Sequence, residues 1–192
     1  MKPGAQMAVR TKLWTRDEFE RLVAAGAFPP DARIQLVDGE IVEMTAQGAA
    51  HATAVYRLQK ALEAIFDHAF IVRAQLPIAL AGDSMSIPEP DTAVVRGSAD
   101  DFRVHHPSTA VLLVEVADAS IQFDRTRKLA MYARAGIPEY WILDINDSSL
   151  EVNRDPDRVT GSYRERTTLS SADHVVSVSG NTVRLPVNAI LP

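Results

Sequence analysis

The first third of the chain alternates between helical and strand-like spacing of its hydrophobic residues. Apolar residues recur three and four apart behind Thr15 and Glu18, which have the spacing of a helix capping box, and again from about residue 50 to 66. Two short alternating runs between these segments flank Asp38-Gly39, a dipeptide that accepts positive φ angles and suits a tight two-residue turn. The pattern therefore predicts a short helix, a β-hairpin and a longer helix, in that order.

The middle of the chain has the pattern of several strands around one helix. The strands are predicted at residues 70–80, 91–95, 110–116 and 139–143. The third is almost continuously apolar, as expected for a central strand covered on both faces, whereas Pro77 in the first favours either a sheet edge or a bulge. A helix that Asp124 caps and Gly136 ends lies between the third and fourth strands, so these two should be parallel and joined by a right-handed crossover.

Beyond residue 146 the sequence changes to short strands separated by turn residues, around residues 150–152, 163–167, 175–178 and 183–185. We expect them to extend the same sheet in antiparallel fashion. At 192 residues the chain is long enough for one well-buried core, since domains usually run to roughly 100–200 residues. The expected organisation is a tail over residues 1–13 and a single α/β (α+β) domain over residues 14–192.

The composition is that of an ordinary globular protein, with 46% hydrophobic and 23% charged residues. No apolar run approaches the roughly 20 residues that span a bilayer, and residues 1–12 lack the apolar stretch of a signal peptide, so a cytoplasmic protein is expected. The chain has no cysteine, so any metal must be held by oxygen or imidazole ligands. A net charge of -5 provides no overall attraction to nucleic acid, whose non-specific binding depends on Lys and Arg.

Glu115 stands out because it interrupts the apolar run of the predicted central strand. A buried carboxylate without a partner is costly, so Glu115 is either an ion-paired structural residue or part of a functional site. Asp91, at the entry of another strand behind Pro90, is a second carboxylate that an adjacent strand could bring close. Two converging carboxylates form a hard oxygen site of the kind that Mg²⁺ occupies, with water and substrate phosphate as its other ligands.

Lys128 is the cation that could complete such a site. It lies four residues after Asp124 on the predicted helix, so one interpretation is an ordinary surface ion pair that contributes little to stability. The alternative is that the helix packs across the carboxyl end of the sheet and brings the ammonium group to the two carboxylates. There it could orient water and stabilise the negative charge that develops on a phosphate.

The residues around these positions resemble those of the Uma family of endonucleases, whose fold is similar to that of the PD-(D/E)XK nucleases. The similar segments are Pro90-Asp91, Glu115-Val116-Ala117, residues 124–144, the hairpin at 36–44 and His51, and the resemblance extends from about Trp14 to the C-terminus. It implies a restriction-endonuclease-like mixed sheet flanked by helices, dependence on Mg²⁺ or Mn²⁺, DNA as the substrate polymer, and a homodimer.

The chain departs from the pattern of its relatives at two positions. The superfamily usually has a lysine two residues after the glutamate, where this chain has Ala117. Members of the Uma family are similar in taking the lysine from the next helix, so Lys128 is the candidate. The family hairpin commonly begins with a glutamate where this chain has Gln35, whereas Glu40 keeps the second acid and joins the candidate site. His51 either contacts the site or is an ordinary polar residue.

The main hypothesis is a metal-dependent endonuclease that hydrolyses phosphodiester bonds of DNA. Its catalytic residues would be Asp91, Glu115, Lys128 and Glu40, with Asp91 and Glu115 as the Mg²⁺ ligands. Two alternatives stay open. One, suggested by Gln35 and the acidic net charge, is a catalytically inactive nuclease-fold protein that binds nucleic acid or a protein partner. The other is a different metal-dependent hydrolase.

Overall fold

The computed structural model describes residues 10–44, 46–176 and 184–192. Its helices are α1 (Arg16–Ala24), α2 (Ala49–Ile65) and α3, which covers residues 121–135 and contains one wide turn. Its strands are β1 (Ile34–Val37), β2 (Glu40–Glu43), β3 (Phe70–Ala74), β4 (Thr92–Arg96), β5 (Leu112–Ala117), β6 (Glu139–Asp144), β7 (Ser149–Asp157), β8 (Ser162–Ser170), β9 (His174–Val175) and β10 (Leu185–Pro186). Short 3-10 turns lie at Ala99–Phe102 and Val187–Ala189. Within these described residues, no helix is both long enough and apolar enough to cross a membrane.

A mixed six-stranded sheet, in the order β3-β4-β5-β6-β7-β8, forms the centre of the described structure. Strands β5 and β6 are parallel, and α3 connects them, which confirms the predicted parallel pairing and the predicted helix between the two strands. The other neighbours in this sheet pair antiparallel. Strand β3 lies at the edge as expected but is shorter than the predicted strand, because Gln75 adopts a positive φ of 52° directly after it.

The β1–β2 hairpin has the turn that its sequence predicts. Asp38 and Gly39 have φ angles of 50° and 80°, the left-handed pair that a type I′ turn requires. A side chain on Gly39 would also collide with its surroundings, since a Cβ there would lie 2.7 Å from Met85 and 2.8 Å from Leu13. Thr15 and Glu18 form the predicted capping box at the start of α1. The predicted hairpin turn and the predicted capping box are therefore both confirmed.

The C-terminal strands follow the prediction only in part. Strands β7 and β8 extend the large sheet in antiparallel fashion, as expected. Strands β9 and β10 instead pair with each other in a separate two-stranded sheet, and positions 177, 178 and 183 of the predicted strands at 175–178 and 183–185 lie outside the described residues. Val175 and Leu185 are buried in the hydrophobic cluster around α2, so the pair covers that cluster rather than adding strands to β8.

Alternation along β5 assigns its side chains to two different layers. Leu112, Val114 and Val116 belong to the hydrophobic cluster that contains α2. Leu113 and Ala117 belong to the cluster that contains the C-terminal half of α3. Because successive side chains of a strand point to opposite faces, position 115 faces α3. The same argument applies in β4, where Ala93 and Val95 belong to the α3 cluster and the odd-numbered position 91 precedes them.

Candidate active site

Asp91 and Glu115 come together because β4 and β5 are antiparallel neighbours. Thr92 pairs with Val114, so the next position towards the N-terminus of β4 lies beside the next position towards the C-terminus of β5. Both carboxylates line one pocket at this end of the sheet, together with Lys128. The structure therefore brings these three predicted residues into one place.

Asp91 is held firmly in its position by hydrogen bonds. One of its oxygens, Oδ2, accepts from the backbone N–H of Val116 at 2.9 Å and contacts Nε2 of His51 at 3.2 Å. The other, Oδ1, accepts from the side-chain amides of Gln75 at 3.1 Å and Gln47 at 3.3 Å. Burial alone would raise the pKa of Asp91, but His51, the positive charge of Lys128 and the Val116 N–H outweigh it, and the pKa lies below its usual value. Asp91 is thus an ionised, oriented carboxylate.

Glu115 is 2% exposed and lies between a cation and a hydroxyl group. Its Oε2 is 2.8 Å from the ammonium nitrogen of Lys128, and its Oε1 accepts a hydrogen bond of 2.8 Å from the hydroxyl of Tyr132. Burial raises the pKa of Glu115 to about 8, although the attraction of Lys128 opposes this rise. Burial therefore disfavours the ionised form of Glu115, and the Lys128 ammonium favours it.

Lys128 reaches Glu115 from a wide, π-helical turn that spans Asp124–Lys128 within α3. The helix begins at Ile121, so the expectation that Asp124 caps it is wrong; Asp124 lies inside the helix, and its carboxylate accepts a hydrogen bond of 2.6 Å from Ser120. Asp124 and Lys128 are each 1% exposed, so both side chains point inward. Such turns are rare and are often found at functional sites.

Two arginines that flank Lys128 tie this turn to the rest of the fold. Arg125 donates to Glu151 at 2.6 Å and to Asp144 at 3.3 Å, which anchors the turn to β7 and β6. Arg127 donates to the backbone oxygen of Val37 at 3.0 Å and pairs with Glu40. The position of Lys128 is therefore set from both sides of the helix.

Glu40, which the sequence adds to the candidate site, does not join the pocket. Its side chain is about half exposed, at 53%, and its ion pair with Arg127 is on the outside of the hairpin. Gln35, on the same hairpin, does line the pocket and is 1% exposed. The hairpin thus contributes the amide of Gln35 to the pocket, whereas the carboxylate of Glu40 lies at the surface.

The charge of the pocket suits a divalent cation. Its lining carboxylates are Glu89, Asp91, Glu115, Asp118 and Asp124, against the cations Arg33 and Lys128. Burial raises the pKa of Glu89 and Asp124 as well as Glu115, and Oδ1 of Asp124 is buried without a hydrogen-bond partner in the described part of the chain. The carboxylates of the lining outnumber its cations, and carboxylate oxygens are the ligands that hard divalent cations take.

No group of three or more His, Asp or Glu side chains in the described residues is arranged to hold a metal ion together. Asp91 and Glu115 meet at the ends of β4 and β5 and line the same pocket, so their oxygens could contribute to a cation site that water and substrate oxygens complete.

Sequence reasoning missed several residues that build the site. Tyr132 lies one helical turn after Lys128 within the segment that resembles the Uma family, and that spacing could have placed it on the same face. For His51 the sequence allows either a contact with the site or an ordinary polar residue, and in the structure it contacts Asp91. Gln47 and Gln75 come from loops, and the positive φ of Gln75 that turns its amide towards Asp91 has no sequence signal.

Comparisons with known proteins show the family and the fold of this chain. A family model named Uma2 and described as "putative restriction endonuclease" matches residues 16–187. No curated protein matches the chain. A solved structure described as a "putative nuclease" from Anabaena variabilis is similar in fold, with a TM-score of 0.72 and 14% identity, over 92% of this chain and 96% of that chain. The restriction-endonuclease-like fold and the family resemblance are thereby confirmed, and they support a nuclease. The chain belongs to the Uma2 family of restriction-endonuclease-like proteins.

Proposed function

We propose that this protein is a metal-dependent endonuclease that hydrolyses phosphodiester bonds of DNA. In this proposal Asp91 and Glu115 hold Mg²⁺ or Mn²⁺, and Lys128 acts on the phosphate and the attacking water. The observation that carries it is the meeting of an ionised aspartate, a buried glutamate and a buried lysine in one acid-rich pocket of a nuclease-family fold.

Asp91 and Glu115 would contribute to binding of the ion in different ways. Asp91 is ionised and fixed by its hydrogen bonds, so it offers a preformed ligand. Glu115 has a raised pKa without metal, and a nearby divalent charge would favour its ionised form. When bound, the ion supplies Lewis-acid polarisation of a phosphoryl oxygen and makes a nearby water easier to deprotonate. Tyr132 keeps Glu115 oriented through its hydrogen bond.

Lys128 would stabilise the charge that grows on the phosphate during attack. Burial alone would lower its pKa, but the acids around it, Glu115 first, raise the pKa above its usual value, so the side chain stays an ammonium. Its contacts with Glu115 and Asp124 hold the ammonium in place before substrate arrives. A preorganised donor of this kind typically contributes about two to three orders of magnitude in rate.

The most direct test of activity is incubation of the wild-type protein with supercoiled plasmid and with single-stranded DNA. Cleavage is expected with Mg²⁺ or Mn²⁺ and none with a chelator. An absence of cleavage on both substrates would contradict the proposal. It would favour a catalytically inactive protein. One observation suits that alternative: Oδ1 of Asp91 accepts two hydrogen bonds, and Oδ2 accepts one and contacts His51.

We also propose that the active protein is a homodimer. Strand β8 ends the large sheet, is nine residues long and has mostly exposed side chains. No further strand of the described residues pairs with its outer backbone edge, so that edge could pair with a second copy. Light scattering at micromolar concentration would show twice the mass of the chain. A single-chain mass would contradict the dimer without affecting the proposed chemistry.

A further inference from the structure

A hydrogen bond from the backbone fixes the orientation of the Gln35 amide in the pocket. Gln35 lies on β1 and lines the pocket beside Asp91, Glu115 and Lys128. Its Oε1 accepts a hydrogen bond of 3.1 Å from the backbone N–H of Glu89. Because that N–H needs an oxygen acceptor, the contact fixes which end of the amide is the oxygen and which is the nitrogen.

The nitrogen of the same amide has no hydrogen-bond partner in the described residues, although Gln35 is only 1% exposed. A buried N–H group without a partner is costly, so it needs an acceptor that enters the pocket. None of the carboxylates that line the pocket accepts a hydrogen bond from this nitrogen, although Oδ1 of Asp124 is itself without a partner in the described residues. An oxygen of a bound ligand that enters the pocket would supply the missing acceptor.

We propose that Gln35 is a substrate-binding residue that donates a hydrogen bond from Nε2 to a phosphate oxygen of the nucleic acid. This inference rests on the proposed function. An amide nitrogen cannot ligate a hard cation, and the amide oxygen is occupied by Glu89, so Gln35 acts on the phosphate and not on the metal. It does so without adding charge, whereas a carboxylate at the same position would repel the phosphate.

The substitution Gln35→Glu tests the donor with the smallest change in shape. It keeps an oxygen for the Glu89 N–H and replaces the free N–H donor by a second oxygen. Binding of a fluorescent DNA duplex is measured by anisotropy in Ca²⁺, which takes the same oxygen ligands as Mg²⁺. We expect duplex affinity to fall about tenfold to a hundredfold. Mn²⁺ affinity without DNA, measured by calorimetry, should rise about tenfold because the pocket gains a hard oxygen ligand.

A matched control separates a local effect from added charge. Gln59 lies half-buried on α2, outside the pocket lining, where its amide donates to Glu63 at 2.9 Å, and Gln59→Glu makes the same chemical change there. It should leave both duplex and Mn²⁺ affinity unchanged. An equal loss of duplex affinity in Gln59→Glu and Gln35→Glu would overturn the proposal, since general repulsion would then explain the effect.

The substitution Gln35→Met removes the donor without adding charge. Duplex affinity should fall about tenfold, with Mn²⁺ affinity unchanged and a cooperative melting transition that shows the variant is folded. A folded Gln35→Met that binds duplex as tightly as the wild type would make Gln35 a structural residue, and weaker Mn²⁺ binding would make it part of the metal site; either result overturns the inference. If Gln35→Met does not fold, the isosteric Gln35→Glu decides.

The wild type distinguishes this inference from the function on which it rests. A wild-type protein that binds Mn²⁺ but neither duplex nor single-stranded DNA would overturn the nuclease proposal, and Gln35 as a phosphate donor with it. A wild-type protein that binds and cleaves DNA, with variants at position 35 that bind equally well, would overturn the inference about Gln35 alone.

Discussion

The two faces of the large sheet are built on different physical principles. On one face, β4 and β5 pack against α2 through a cluster of buried hydrophobic residues that includes Leu58, Leu62 and Val114. On the other face, the hydrophobic packing against α3 is interrupted at one end by Glu115 and Lys128, which are almost fully buried. The first face is stabilised by burial of apolar surface. On the second face, the desolvation cost of the buried charged groups offsets part of the stabilisation by apolar burial.

This difference shows where stability and function are separated in the molecule. Truncation of an apolar side chain on the α2 face leaves a cavity but no unpaired charge. A change on the α3 face alters the balance between five pocket acids and two cations. Substitutions on the two faces should therefore separate into those that change mainly the melting temperature and those that change mainly the activity.

A large effect on both activity and stability is expected for Lys128→Met. This change keeps most of the side-chain volume and removes the buried ammonium, so cleavage per folded molecule should fall by about two to three orders of magnitude. Stability should also fall, because Glu115 and Asp124 lose their counter-charge. Nicking of supercoiled plasmid at a temperature where the variant is folded measures the effect. Lys60→Met, which removes an exposed lysine paired with Glu63, is the matched control and should cleave like the wild type.

Leu62→Ala tests the apolar face. Leu62 is fully buried in the α2 cluster, so its truncation should cost about 2–5 kcal/mol in the free energy of unfolding. Cleavage by the folded fraction should stay within a few-fold of the wild type. Leu76→Ala, at a position that is 45% exposed, should change stability much less under the same denaturant titration. Loss of cleavage in fully folded Leu62→Ala would show that the two faces are not separable.

The raised pKa of Glu115 predicts how stability depends on pH in the absence of metal. Between its unfolded value near 4.5 and its folded value of about 8, the folded protein binds a proton that the unfolded chain releases. Stability therefore falls as pH rises through this window, by up to about 1.4 kcal/mol per pH unit. Thermal melts with chelator at several pH values measure this slope. Glu115→Gln should reduce it, whereas an unchanged slope in that variant would assign the dependence to other groups.

The smallest effect is expected for Glu40→Gln. Glu40 is half exposed and pairs with Arg127 outside the pocket, so its neutralisation should change stability by less than about 1 kcal/mol. Plasmid cleavage should remain within a few-fold of the wild type. A loss as large as that of Glu115→Gln would return Glu40 to the catalytic residues that the sequence suggests.

Local signals explain why much of the fold could be predicted. The Asp38-Gly39 turn depends on two residues that accept positive φ, and the apolar run before Glu115 depends on burial from both faces. The separate β9–β10 pair could not be predicted, because its place is decided by packing of Val175 and Leu185 on α2 and not by their own pattern.

The sequence predicts several residues of the candidate site but not the contacts among them. Glu115 is conspicuous in an apolar strand, and Lys128 follows from the family resemblance. The wide turn in α3 leaves no mark in the hydrophobic period, so the inward position of Asp124 could not be inferred. The exposed position of Glu40 depends on Arg127, a partner 87 residues away in the sequence.

The central claim is that Asp91 and Glu115 together hold the divalent ion that cleavage requires. It is tested most directly by Mn²⁺ calorimetry and plasmid nicking on the wild type, Asp91→Asn and Glu115→Gln in one series. We predict that each substitution abolishes nicking and weakens Mn²⁺ binding at least about tenfold, since each removes one hard oxygen ligand. Folded variants that bind Mn²⁺ and nick plasmid like the wild type would contradict the claim.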